Sequence, residues 1–229
     1  MADPNRALFE EVIELLVPVL DELVFVGGCT TGFFITDPAA AGIRPTKDVD
    51  AIVDVTSYAR YTALAERLRT VGLVEDTSEG APLCRWRHGR LIVDVMPTDA
   101  SLLGFSNRWY PGAIETAQTF RIAGHAVRIV TPALFIATKL EAFHGRGGDD
   151  ILTSHDLEDI VAVVDGRPAI VDDVAHAAAD VRAYIVSEIQ ALLDNPDFVE
   201  ALAGFLLPDS ASQARRRVLE ARLRAISAP

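Results

Sequence analysis

Cysteine is almost absent from this 229-residue chain: Cys29 and Cys84 stand alone, with no Cys-x-x-Cys pair and no histidine pair beside them. That spacing excludes a zinc ribbon or finger and leaves two buried free thiols in a reducing compartment as the expectation. No run reaches the roughly 18 apolar residues of a membrane span. The opening MADPNRALFE also lacks the basic-then-apolar pattern of a secretory signal. The expectation is therefore a cytoplasmic protein with no membrane partner. Positive charge is scarce too: 21 Lys and Arg face 33 Asp and Glu, a formal net charge of -12. Such a balance argues against a broad electrostatic grip on nucleic acid, which draws on clustered Lys and Arg. Solenoid-period repeats and low-complexity tracts are missing as well. What remains is a chain that is 50% hydrophobic, long enough to bury one large core or two small ones.

Asp3-Pro4 reads as a helix start, with Leu8, Val12, Leu15, Leu16 and Val19 recurring behind it at helical spacing. LVFVGG is a short apolar strand stopped by glycines, CTTGFFIT a helix starting directly after them, and residues 37–45 a loop. TKDVDAIVDV, from Thr46 to Val55, alternates, with Val49, Ala51, Val53 and Val55 on one face and Asp48, Asp50, Ile52 and Asp54 on the other. Ser57 caps a helix that Gly72 ends. Two hairpins follow, one turning at His88-Gly89 with Asp94 in its second strand, the other turning at Gly124. From Thr131 the pattern is helical: TPALFIATKLEAFHG, then HDLEDIVAVVDG from Ser154 or His155, then three further helices. A soft boundary falls near residue 130, with residues 1–130 as a mixed core and 131–229 as a helical region.

Asp48 and Asp50, at i and i+2 of a strand, share one face with their Cβ atoms roughly 7 Å apart, a span that one shared cation can bridge. Asp94 is a third acid in an otherwise apolar strand. Acids in apolar strands are costly unless paired or bound to metal, so three together point to a cation rather than to three solvated strand ends. Gly27-Gly28 lets backbone N–H groups approach a phosphate closely. His125, His144 and His176 read as structural or surface residues. Arg215, Arg216 and Arg217, with Arg222 and Arg224, form either a solvated helix face or an RNA-docking patch. The glycine-rich stretch from His144 to Asp156 reads as a flap.

An apolar strand, Gly-Gly, a short helix and Asp-x-Asp resemble the nucleotidyltransferase superfamily with the polymerase-beta-like core. The string Arg44, Thr46, Asp48, Asp50, with TKLEAF around Lys139 and SHDLEDI around Asp156 and Asp159, is most similar to the AbiEii/AbiGii toxin group and its MenT-like members. The resemblance runs from residue 20 to about 165, with a longer stretch than usual between Gly28 and Asp48 and with His155 where arginine is more usual. It implies an α+β fold, a mixed sheet flanked by helices and followed by a C-terminal helical region. It also implies Mg2+ on Asp48 and Asp50, with Asp94 as third ligand or general base, and an NTP as substrate. Gly27, Gly28 and Thr30 would then face phosphate, Arg44 and Thr46 would belong to the nucleotide site, and Lys139 would meet the leaving pyrophosphate. Asp156 would orient Lys139 or contact the nucleotide. The implied acceptor is tRNA or a protein, with a cognate antitoxin as partner in a toxin-antitoxin or phage-defence setting. Two alternatives stand beside this: an antibiotic-type small-molecule nucleotidyltransferase, and a silent nucleotide-binding module, the latter favoured if Asp94 lies far from Asp48 and Asp50.

Overall fold

The computed structural model describes residues 3–40, 42–145 and 151–228. Two compact units are present. One comprises Pro4–Thr30 with Pro45–Thr131; the other comprises the described residues of Met1–Asp3, Thr31–Arg44 and Pro132–Pro229.

The first unit is built on a seven-stranded mixed sheet. Helix α1 (Arg6–Leu16) buries Phe9, Val12, Ile13 and Leu16. This face is rotated from the expected one, because Phe9 packs edge-to-face on Phe25 of the sheet, ring centroids 5.0 Å apart. The start also differs: Asn5, not Asp3, holds the cap position, and its carboxamide oxygen accepts from the Thr46 N–H at 2.8 Å. Strand β1 (Leu23–Val26) is wholly buried, as its unbroken apolar run requires. The helix expected over CTTGFFIT is only a 3-10 turn at Gly28–Phe33.

Strand β2 (Val49–Val53) is shorter than the alternating stretch. Ile52 is buried as well as Val49, Ala51 and Val53, so the core occupies both faces. Helix α2 (Tyr58–Thr70) begins at Ser57, whose hydroxyl accepts from the Arg60 N–H, and the chain leaves it through Gly72 at φ +93°. The edge strand β3 (Val74–Glu75) carries no period from which it could be read. Strands β4 (Arg85–His88) and β5 (Leu91–Pro97) form the first hairpin, followed by short helices α3 (Ala100–Leu103) and α4 (Tyr110–Glu115). Strands β6 (Gln118–Ile122) and β7 (His125–Ile129) form the second, turning through Ala123 and Gly124, both at positive φ.

The strand order is β3-β4-β5-β2-β1-β7-β6. The β2/β5 and β1/β7 pairs are parallel and the others antiparallel, so β1, β2 and β5 lie side by side at the centre. That order places the glycine turn and the three acids on adjoining strands.

The second unit is helical: α5 (Pro132–Gly145), α6 (His155–Gly166), α7 (Ile170–Ala175), α8 (Ala179–Asp194), α9 (Pro196–Ala201), α10 (Ser210–Ala214) and α11 (Arg216–Ser227). Five helices follow α6 where three were expected. Helix α5 is buried nearly all round, the mark of a helix packed on several sides, and it meets α6, α7 and α8. Ser154 caps α6 by accepting from the Leu157 N–H. The segment Thr31–Arg44 belongs with these helices because Thr36 and Asp37 both donate their N–H to the Gly166 carbonyl, each at 2.9 Å. A Cβ at Gly166 would stand 2.5 Å from Ile35 Cδ1, so a larger residue there would make the Ile35 side chain shift. Of the expected flap from His144 to Asp156, residues 146–150 lie outside the described residues, while His144 and Gly145 end α5 and His155 and Asp156 open α6. Among the described residues no helix is long and apolar enough to cross a membrane.

Candidate active site

The mixed-sheet unit brings three acids to one face. Asp50 pairs in register with Val26 of β1 on one side and Asp94 of β5 on the other, and directly paired residues project to the same face of a sheet. Asp48 precedes Asp50 by two residues, just ahead of β2, and reaches the same place. Asp94 is buried, whereas Asp48 and Asp50 are half-buried. Asp94 therefore neighbours the Asp-x-Asp pair instead of lying far from it.

Gly27 makes this arrangement possible. It sits at φ +73°, and a Cβ there would stand 1.9 Å from Asp50 Oδ2. Only a residue without a side chain lets the end of β1 pass so close to the Asp50 carboxylate. Gly28 opens the 3-10 turn and is buried. The Thr30 hydroxyl donates to the Gly27 carbonyl at 2.8 Å, so it braces this turn. Thr46 donates its hydroxyl to Asp48 Oδ1 at 2.8 Å, next to the acid as its position implies.

The residue that sequence reasoning missed is Arg85. Its Nε and Nη2 donate to Asp94 Oδ1 and Oδ2 at 2.8 and 2.7 Å, and Nη2 also reaches Asp48 Oδ2 at 3.1 Å. A guanidinium thus bridges two of the three carboxylates. The hydrogen bond to Asp94, with the Coulomb attraction of Asp94 and Asp48, raises the Arg85 pKa further in its basic range against the cost of burial. Cys84 lies at the edge of the cluster; burial first, then Asp94 and Asp50, push its thiol up to about 12. Among the described residues no three His, Cys, Asp or Glu side chains stand in a ready metal-holding arrangement. In ligand type and charge the acids nonetheless fit a hard divalent cation: three carboxylates from adjoining strands share a face, and one guanidinium offsets one of their three charges.

The other expected residues, Lys139, Arg44 and Asp156, belong to the helical unit and pair with one another's partners there. Lys139, in mid-α5, is buried, its Nζ 3.0 Å from Asp156 Oδ1 and 2.7 Å from Asp159 Oδ2. Arg44 forks onto Asp159 with two bonds of 2.9 Å. Two cations and two buried carboxylates balance, which is how such charges tolerate burial. Asp156 does hold Lys139. Asp159 is the hinge between both cations, and its spacing of three from Asp156 places the pair on one helix face.

The late basic cluster is largely committed inside the chain. Arg215 bonds the carboxylates of Asp165 and Asp37, and Arg215 and Arg222 donate to backbone carbonyls in the last turn of α6. That is a favourable place for cations, at the negative end of the helix. Arg216 bonds Glu220 and the Val199 carbonyl. His125 faces Glu14, His144 bonds Glu188 and His176 bonds the Asp172 carbonyl, all as ordinary structural contacts. Two surface depressions of the sheet unit, around residues 17–21 with 119–128 and around 14–18 with 67–71, are lined by none of the candidate residues.

This mixed sheet, with Asp-x-Asp beside a glycine turn, has a nucleotidyltransferase-like fold. Among solved structures the chain is similar to an antigenic nucleotidyltransferase-like protein from Paracoccidioides brasiliensis, at 18% identity over 88% of this chain and 93% of that one, with a TM-score of 0.50. JHP933 from Helicobacter pylori also matches, at 12% identity over 97% of this chain and 90% of that one, with a TM-score of 0.48. No protein-family model matches the sequence, and no curated protein does. At such identity the first likeness defines the fold, and function has to be argued from the site.

Proposed function

We propose that this chain is a Mg2+-dependent nucleotidyltransferase that moves a nucleoside monophosphate from an NTP to tRNA or a protein, in a toxin-antitoxin or phage-defence setting. One observation carries the reading: Asp48, Asp50 and Asp94 converge on one sheet face beside a glycine that a Cβ could not replace. Asp48 and Asp50 would hold the cation, with Asp94 as third ligand or as the base taking the acceptor's proton. Bound Mg2+ neutralises negative charge on the nucleotide phosphates. An acceptor hydroxyl oxygen bonds to the α-phosphorus, the bond from that phosphorus to the bridging oxygen breaks, and pyrophosphate leaves. Thr46 keeps Asp48 oriented through its hydroxyl.

A second reading, transfer to a small molecule, is supported by the commitment of Arg215, Arg216 and Arg222 to partners within the chain and by the net charge of -12. Incubation with each α-labelled NTP and Mg2+, together with tRNA, cell lysate or an aminoglycoside panel, separates the two. Label on RNA or protein supports the first and label on the aminoglycosides alone replaces it with the second. Asp48→Ala and Asp50→Ala are each expected to abolish pyrophosphate release while the circular dichroism stays native. Undiminished release by both variants would sink the enzyme reading.

A further inference from the structure

The carboxylate cluster already has a cation in it, supplied by the chain. Arg85 lies opposite Asp94 across the β4–β5 ladder, so its side chain falls on the same face as the acids. Its fork engages both oxygens of Asp94 and one of Asp48, while the other Asp48 oxygen accepts from Thr46. A planar fork spans two carboxylates in a way that the compact charge of a lysine does not. The two arms differ: the Asp94 side chain is 9% exposed and doubly bonded, whereas the Asp48 side chain is 31% exposed and meets the guanidinium through one longer contact. Metal and guanidinium would draw on the same lone pairs.

We propose that Arg85 is a resident counter-cation that competes with divalent metal for Asp94 and Asp48, holding the acids assembled without metal and yielding Asp48 first when metal enters. This rests on the metal-dependent reading above and assigns to Arg85 a positioning role. Three clustered carboxylates without any cation would repel one another, and a bound guanidinium removes that repulsion before a substrate arrives. Its cost is weaker binding of the free ion, because metal gains the carboxylates only by displacing a charge-assisted pair.

The test is calorimetric titration of Mn2+ into the metal-free full chain, with no nucleotide present, comparing wild type, Arg85→Gln, Arg85→Lys and Asp48→Ala. Arg85→Gln is expected to tighten Mn2+ binding roughly tenfold, since a competing charge-assisted interaction is removed. Arg85→Lys should fall between it and wild type, and Asp48→Ala should lose most of the binding. A role in folding alone would lower the melting temperature of Arg85→Gln without tightening Mn2+. Equal or weaker Mn2+ affinity in a folded Arg85→Gln overturns the competition while leaving the metal site standing. Should Arg85→Gln fail to fold, Arg85→Lys decides: binding no tighter than wild type overturns the proposal. Absence of Mn2+ binding in every protein, wild type included, overturns the metal site and the competition together.

Discussion

Arg85 donates two hydrogen bonds, 2.8 and 2.7 Å long, to the two oxygens of Asp94, its direct partner across the β4–β5 hairpin. With side-chain exposures of 22% and 9%, the pair is largely out of water. Loss of Arg85 would strand the buried Asp94 charge, and loss of Asp94 would leave Arg85 with only its single, longer bond to Asp48. Asp94→Ala is therefore expected to cost about 3 kcal/mol in urea unfolding. Arg85→Met combined with Asp94→Leu should cost less than Asp94→Ala alone, and a double-mutant cycle reads the coupling directly.

Gly27 and Gly89 both sit at positive φ, but only Gly27 faces an obstacle. A Cβ at Gly27 would overlap Asp50 Oδ2 at 1.9 Å, whereas nothing lies within 4 Å of one at Gly89. Gly89→Ala should cost about 1 kcal/mol, the strain of the backbone alone. Gly27→Ala should cost roughly 3 kcal/mol or more, since strain and overlap add. It should also lower Mn2+ affinity by displacing Asp50, which Gly89→Ala leaves unchanged.

Asp159 serves the buried Lys139 and the half-buried Arg44, and Glu158 beside it stands 4.0 Å from Arg44 with a 38% exposed side chain. Asp159→Ala is expected to destabilise the chain by about 3 to 5 kcal/mol, because Lys139 and Arg44 both lose a buried partner. Glu158→Ala should change stability by less than about 1 kcal/mol. Chemical denaturation of the two variants side by side measures the contrast.

Both cysteines are buried, and burial with the neighbouring Asp94 and Asp50 carboxylates raises Cys84 to about 12. The thiolate is the reactive form, so a disulfide exchange reagent at pH 8 should titrate no thiol in the folded protein and two after denaturation. The raised value also sets a sign. The folded state keeps its Cys84 proton while the unfolded thiol, with an ordinary value near 8.5, gives its proton up. The contribution of Cys84 to stability is complete below that value and declines as pH rises from there towards about 12. Cys84→Ser should flatten this alkaline limb of the stability profile.

Register is where the sequence was least legible. A turn centred on His88-Gly89 would set Leu83 opposite Asp94 and Arg85 opposite Ile92, leaving Arg85 a diagonal neighbour of the acid instead of its direct partner. The turn in fact lies at Gly89-Arg90, pairing His88 with Leu91 and so Arg85 with Asp94. A shift of the turn by one residue changes every cross-strand partner. Helix α1 shows the same limit. Leu8, Val12, Leu15, Leu16 and Val19 have helical spacing, yet the buried stripe is Phe9, Val12, Ile13 and Leu16. The helix becomes a 3-10 turn at Val17, so Val19 is buried from that turn and not as part of the α1 stripe. Lys139 reads locally like a solvated mid-helix lysine, and only the approach of α6 reveals its two carboxylate partners.

Local pattern by itself determined that Asp48 and Asp50 share a side of the chain, since side chains two apart in an extended segment project alike. It also determined that Gly27 follows a buried strand and that Ser57 and Ser154 start helices, because these depend on residues within one turn of each other. Tertiary structure alone decided that Asp94 joins the pair, through the parallel register of β2 with β5, and that an arginine stands between the acids. Contacts between strands far apart in sequence are selected by the packing of the whole sheet. The identity of the cation facing a carboxylate is therefore set by the fold and not by the carboxylate's neighbours in the chain.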